Sequence, residues 1–188
     1  MSDSTHSVLV VTKDNKISSM ISALLIAPLF DTIIVSDFNE ARRRCLNQVF
    51  NMILVDYTEG EGCDFAIDIS SSSSTILLLS PNQLFDQVSY KVEGYGILTI
   101  TRDFDQFYFY NMIKIAIAVQ YKTTILSSQK KKLKQKMEEI RVISRAKMIL
   151  MQTKAFTEEE AHHYIEKEAM NTCRKKIEIA KEIIGNLD

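Results

Sequence analysis

Five short aliphatic runs constrain this chain more than any other feature: Val8–Val11, Thr32–Val35, Met52–Val55, Ile76–Leu79 and Ile97–Ile100. Each is apolar along its length rather than at alternate residues, which suits a strand covered on both faces, as in a parallel sheet. Between the runs lie segments with helical apolar spacing, over about 14–26, 37–50, 62–70, 82–93 and from 105 onward. Repeated β-α units joined by right-handed crossovers predict a doubly wound α/β sandwich. Its expected strand order is flavodoxin-like, 2-1-3-4-5, with the site at the carboxyl ends of strands 1 and 3. The serine run Ser70–Ser74 reads as the loop before the fourth strand.

The last helical pattern does not stop where such a domain should end. From Asp105 to about Gln152 there is neither Pro nor Gly. Met112, Ala116, Val119, Thr123, Leu126, Lys130, Leu133, Met137 and Ile140 recur at spacings of four and three, the heptad spacing of a coiled coil. Val119, Leu126, Leu133, Met137 and Ile140 are the expected seam of a homodimer; a face packed within the chain is the alternative. Thr123 and Lys130 interrupt the stripe and suggest a break near Ser127–Ser128. Beyond it, Thr157 and Glu160 stand in capping-box register and open a helix to about Met170. A final helix over about 173–184 places Ile177, Ala180 and Ile184 on one face, and Gly185 ends it. Three expected domains follow: 1–121, a linker helix over 122–137, and 138–188.

Net charge is −1, but the two halves differ. Residues 1–121 carry 8 Lys/Arg against 14 Asp/Glu, and residues 122–188 carry 15 against 10. Nine basic residues lie between Lys130 and Lys154, opposed only by Glu138 and Glu139, and such asymmetry points to a polyanion at the second half. Cys45, Cys63 and Cys173 are scattered and odd in number, so free thiols, buried or half-buried, are expected rather than a disulfide framework or CxxC metal site. No GxGxxG, P-loop or nucleophile elbow occurs, and the α/β half has no His beyond His6, which argues against an enzyme. His162 and His163 point about 100° apart on a helix, so only one could share a metal with Glu158, and no metal site is expected. The chain begins without a signal-like segment and lacks a run of about 20 apolar residues, so a cytoplasmic, membrane-free protein is expected.

Three ordered blocks carry a family resemblance. Residues 141–151 (RVISRAKMILM), 157–170 (TEEEAHHYIEKEAM) and 174–184 (RKKIEIAKEII) resemble the three helices of the ANTAR domain, with Met148 where the family often has Gly. The resemblance implies a small three-helix bundle that binds hairpins in nascent transcripts and prevents termination. Arg145, Lys147, Lys154, His162, His163, Arg174, Lys175 and Lys176 are then the polar groups available to RNA, with Lys147, Arg174 and Lys175 foremost. Ala146, Leu150, Ala161, Ile165, Ala169, Ile177 and Ala180 are expected to pack the bundle.

The α/β half resembles a response-regulator receiver. By that resemblance Asp56 matches the phospho-acceptor, and Ser80 the hydroxyl after strand 4. Arg102 stands where receivers have Lys. Thr12 and Lys13 stand where receivers have two acids, with Asp14 one place on. Mg²⁺ needs hard oxygen ligands in near-octahedral array, so its binding here should fall sharply. Lys13 is a candidate ion-pair partner for Asp56. No cofactor is expected. The reading is an RNA-binding antiterminator controlled through a receiver-like domain outside the usual Mg²⁺-dependent phosphorylation. The alternative is a dimerisation module that binds a sensor protein without RNA.

Overall fold

The computed structural model describes residues 5–185, so the outermost ends of the expected domains lie outside the described residues. Contacts divide the chain into two compact units, 1–125 and 126–188.

The first unit contains β1 (His6–Val11), α1 (Asn15–Leu24), β2 (Phe30–Val35), α2 (Phe38–Asn47), β3 (Met52–Asp56), α3 (Glu61–Asp68), β4 (Thr75–Ser80), α4 (Phe85–Val92) and β5 (Leu98–Thr101). It ends with the first part of α5 (Gln106–Lys154). All strand pairs are parallel, in the order β2-β1-β3-β4-β5. The expected topology is therefore present, and the central strands β3 and β4 are buried at every residue. Their alternate side chains feed two cores. Leu9, Val11, Ile53, Val55, Ile76 and Leu78 face Phe38, Ala41, Phe65, Ala66, Val88 and Val92 of α2, α3 and α4. Val8, Val10, Met52, Leu54, Leu77 and Leu79 face Ile17 and Ile21 of α1 and Phe109, Ile113 and Ala116 of α5. A continuous aliphatic run is what this double coverage requires.

This packing changes the reading of the heptad stripe. Ala116 is fully buried in the α1/α5 core and Met112 packs against it, so the first two stripe positions serve the sheet. Gln120 is buried too and accepts from the Thr75 hydroxyl at 3.0 Å. Val119, Leu126, Leu133, Met137 and Ile140 are exposed. The suggested break near Ser127–Ser128 is absent, because α5 runs without interruption through those residues. Serine and threonine lower helix propensity without breaking a helix, and both neighbours here are good formers.

The second unit combines the later part of α5 with α6 (Glu158–Asn171) and α7 (Lys176–Gly185). The capping box is complete: the Thr157 hydroxyl accepts from the Glu160 N–H at 3.2 Å, and the Glu160 carboxylate accepts from the Thr157 N–H at 2.8 Å. Ala155 and Cys173, each just past a helix end, adopt left-handed backbone with φ of 54° and 51° and turn the chain sharply. That turn delays the last helix from the expected Cys173 to Lys176. On that helix Ala180 and Ile184 pack in the core as expected, Ile179 and Ile183 join them, and Ile177 is only half-buried. Ala146, Leu150, Ala161, Ile165 and Ala169 complete that core as expected. Cys63 is buried and Cys45 half-buried, but Cys173 is exposed at its turn.

One glycine couples the sheet to the rim where the site lies. A Cβ on Gly62 would stand 2.0 Å from the Asp56 carbonyl oxygen, in rigid backbone rather than a side chain that can move. The Gly62→Ala variant is expected to lose about 3 kcal/mol, near the upper end of overpacking costs. Urea unfolding of the full chain, followed by near-UV circular dichroism, measures it.

Candidate functional site

The carboxyl ends of β1, β3 and β5 bring Thr12, Asp14, Asp56 and Arg102 together. Asp56 ends β3, is 2% exposed, and receives the Thr12 hydroxyl at 3.0 Å on Oδ2. Arg102 follows β5 and reaches back across the rim. Its Nη2 donates to Asp56 Oδ2 and to Asp14 Oδ2, each at 3.1 Å. Its Nε lies 3.0 Å from Asp56 Oδ1, an ion-pair approach that is not aligned as a hydrogen bond. Asp14 is also the N-cap of α1, accepting on Oδ1 from the N–H groups of Lys16 and Ile17. Thr12 closes the ring by accepting from the Asp14 N–H at 3.1 Å.

The electrostatics follow from this arrangement. Burial pushes the Asp56 carboxyl above its ordinary range, and the Arg102 charge and the Thr12 hydroxyl work against the rise. Asp14 is held below its ordinary range, chiefly by the Lys16 N–H and with help from Arg102. Lys13, the expected partner of Asp56, instead pairs with Glu61 at 3.2 Å, both side chains being more than half exposed. An exposed Lys keeps its hydration there, whereas the guanidinium is less strongly hydrated and can bridge two carboxylates. Ser80 is buried but donates to the Pro81 carbonyl at 3.2 Å, with no hydrogen bond to Asp56.

These residues do not fit a divalent cation. The two carboxylates that could ligate one share a single guanidinium nitrogen, and a hydroxyl and an ammonium fill the acid-pair positions. Among the described residues, no three His, Cys, Asp or Glu side chains are grouped to hold a metal.

The predicted RNA-facing residues divide into two sets. Lys147 is only 18% exposed and pairs with Glu158 at 2.6 Å. Arg174 pairs with Glu182 at 2.7 Å and Glu178 at 3.6 Å. Lys176 pairs with Glu166, which also lies 3.3 Å from His162. These groups brace α5 to α6, α6 to α7, and α7 internally, a role that spacing alone does not reveal. Arg145, Lys154, His163 and Lys175 are exposed. Lys154 lies 4.4 Å from the Tyr164 ring centroid and 5.9 Å from that of Phe156, and those rings are 5.9 Å apart. Phe156, His163, Tyr164 and Lys167, with Glu159 and Glu160, line an open depression beside the capping box. Phe156, Tyr164 and Lys167 are absent from the sequence-based set, although basic and aromatic residues interleave in that segment.

Comparison with known proteins bears on this unit. Residues 131–184 match the ANTAR domain family. The second unit carries an ANTAR domain. A relative, the aliphatic amidase regulator of Pseudomonas aeruginosa, is 38% identical over 68 residues; the match covers 32% of this chain and 35% of that protein. The α/β unit is similar to a CheY-like receiver domain protein from Methanospirillum hungatei, with a TM-score of 0.55 at 17% identity, covering 63% of this chain and 98% of that one. It is also similar to a response regulator from Thermotoga maritima, with a TM-score of 0.52 at 19% identity, covering 61% and 99%. The chain thus joins an α/β unit with the fold of receiver domains to a segment that matches the ANTAR domain family. Among the described residues, no helix is long and apolar enough to cross a membrane.

Arg102→Ala would leave Asp56 buried without its cation, at a cost of about 3 kcal/mol at neutral pH. Because the folded-state pKa of Asp56 already lies above its ordinary value, the native state takes up this proton before the unfolded chain does as pH falls. Its contribution therefore increasingly favours folding from neutral pH down toward about pH 4, and is constant below that. Without Arg102 the rise is larger, so the penalty should shrink as pH falls. Urea unfolding of both proteins between pH 7 and pH 5 tests this; an equal penalty throughout would contradict it.

Proposed function

We propose that this protein is an RNA-binding antitermination regulator that engages hairpins of nascent leader transcripts through its ANTAR domain. The observation that carries the reading is the ANTAR match itself, joined to an edge on the same unit where exposed Lys154 lies beside the half-buried rings of Phe156 and Tyr164. Unpaired loop bases stack on aromatic rings, and phosphates are met by free ammonium groups. Tyr164 and Phe156 with Lys154 supply both, and Arg145, His163 and Lys175 add exposed polar reach. The braced residues Lys147, Arg174 and Lys176 support binding by holding the helices in place. The aliphatic amidase regulator, by its name, regulates an amidase; the operon controlled here is a separate matter.

Control is proposed to run through the α/β unit without Mg²⁺-dependent phosphorylation of Asp56. The bridging Arg102 occupies both carboxylates, as a fixed cation in place of an exchangeable one. Such a unit works as a platform for a sensor protein or a second copy, in a cytoplasmic protein. Homodimerisation through Val119, Leu126, Leu133, Met137 and Ile140 is part of the proposal, and their exposure supports it.

Two measurements test the reading. In gel shifts with a two-hairpin leader RNA, Tyr164→Leu should weaken binding about tenfold, the worth of one stacked base. Unchanged affinity would remove the stacking role, and no affinity of the parent protein for hairpin RNA would favour the protein-interaction alternative. Incubation with acetyl phosphate and Mg²⁺ should leave Asp56 unmodified by intact mass, and a stable Asp56-dependent adduct would overturn the fixed-cation reading.

A further inference from the structure

Lys147, Arg174 and Lys176 are each held by a glutamate, and α5 carries further exposed cations without such a partner. Lys130, Lys134, Arg141 and Arg145 of α5 are all exposed. At 3.6 residues per turn they fall within about 60° of one another, and the 15 residues separating the outer two span about 22 Å. Their partners are few. Arg141 lies 3.8 Å from Glu138, with both side chains largely exposed, a pair of little strength, and Lys130, Lys134 and Arg145 have no ion pair among the described residues. Leu126, Leu133, Met137 and Ile140 project about 80° away around the same helix, so the basic stripe flanks the apolar one. Lys130 lies at the edge shared by both.

We infer that this stripe of α5 is a phosphate-binding rail for the double-stranded stem of a hairpin RNA. The inference rests on the RNA reading above and extends it from the loop to the stem. The groove edges of an A-form stem display continuous rows of phosphates that a protein recognises by shape and charge. A helix that carries a row of cations along one side meets such a row over several successive phosphates, and each contact releases bound counterions. An acidic protein partner would be the other candidate for this charge. RNA is favoured because Lys134, Arg141 and Arg145 lie within the segment matched to the ANTAR family, and Lys130 stands one residue before it in the same helix.

The test compares two double variants of the full chain that remove equal charge from opposite sides of α5. Lys134→Gln with Arg141→Gln removes the middle of the rail. Lys132→Gln with Lys136→Gln removes two exposed lysines from the far side. The probe is a two-hairpin RNA with full stems, beside the same loops on stems cut to a few base pairs. The rail variant should bind the full-stem RNA about tenfold more weakly, with a salt slope shallower by about 1 to 2, while the far-side variant stays within about twofold of the parent. On the shortened stems the rail variant and parent should converge. Equal losses in both variants would overturn the rail, as would a rail defect that persists on the shortened stems. Unchanged affinity for RNA together with an altered oligomeric state by sedimentation would assign the stripe to a protein contact instead. A parent that binds no hairpin RNA would overturn the underlying RNA reading, and the rail with it. Unchanged helical circular dichroism in both variants excludes unfolding as the cause.

Discussion

A parallel sheet has no face that it can leave to water, and because every strand pair is parallel the carboxyl ends of β1, β3 and β5 share one rim. Thr12, Asp56 and Arg102 meet there because each stands at or just beyond a strand end. Their neighbours depend on the same packing. The fully buried strand ends exclude solvent around Asp56, which raises its carboxyl and makes a nearby cation necessary. Gly62 lets α3 begin against the Asp56 backbone, and no side chain fits there. The chemistry of the rim is thus a consequence of double coverage, with one cation added.

That cation comes from the protein. A guanidinium presents several donors in one plane, so Arg102 satisfies Asp56 and Asp14 together where a lysine would supply a single point charge. The loss of the acid pair at Thr12 and Lys13 and the presence of Arg102 are therefore parts of one arrangement. The rim does not have to exchange ligands to remain neutralised.

The helical unit follows different physics. Its core uses small residues, Ala146, Ala161, Ala169 and Ala180, that let three helices approach closely, and ion pairs at the margins hold them in register. Each such pair is only partly buried, and together they matter more for orientation than for net stability. They also determine where charge remains available, since a lysine held by a glutamate is a poor ligand for phosphate. Exposed Lys130, Lys134 and Arg145 of α5, and Lys154 beside Tyr164, keep no carboxylate partner among the described residues.

Residue order alone specified the strands, the winding, the capping box at Thr157 and the three ANTAR blocks, because these depend on local periodicity and on motifs contiguous in the chain. It also specified that the rim lacked its acids. What only the tertiary structure decided was partnership. The sequence offers Lys13 as the cation for Asp56, but in the fold Arg102, 46 residues away along the chain, reaches it instead. Lys147, Arg174 and Lys176 looked free until the fold set a glutamate beside each. Met112 and Ala116 continue the heptad stripe in the sequence but pack under the sheet, and the left-handed turn at Cys173 precedes the start of α7. Periodicity reports which face of a helix is apolar. Which surface covers that face, and which charge lies opposite, are facts of distance that the chain acquires only on folding.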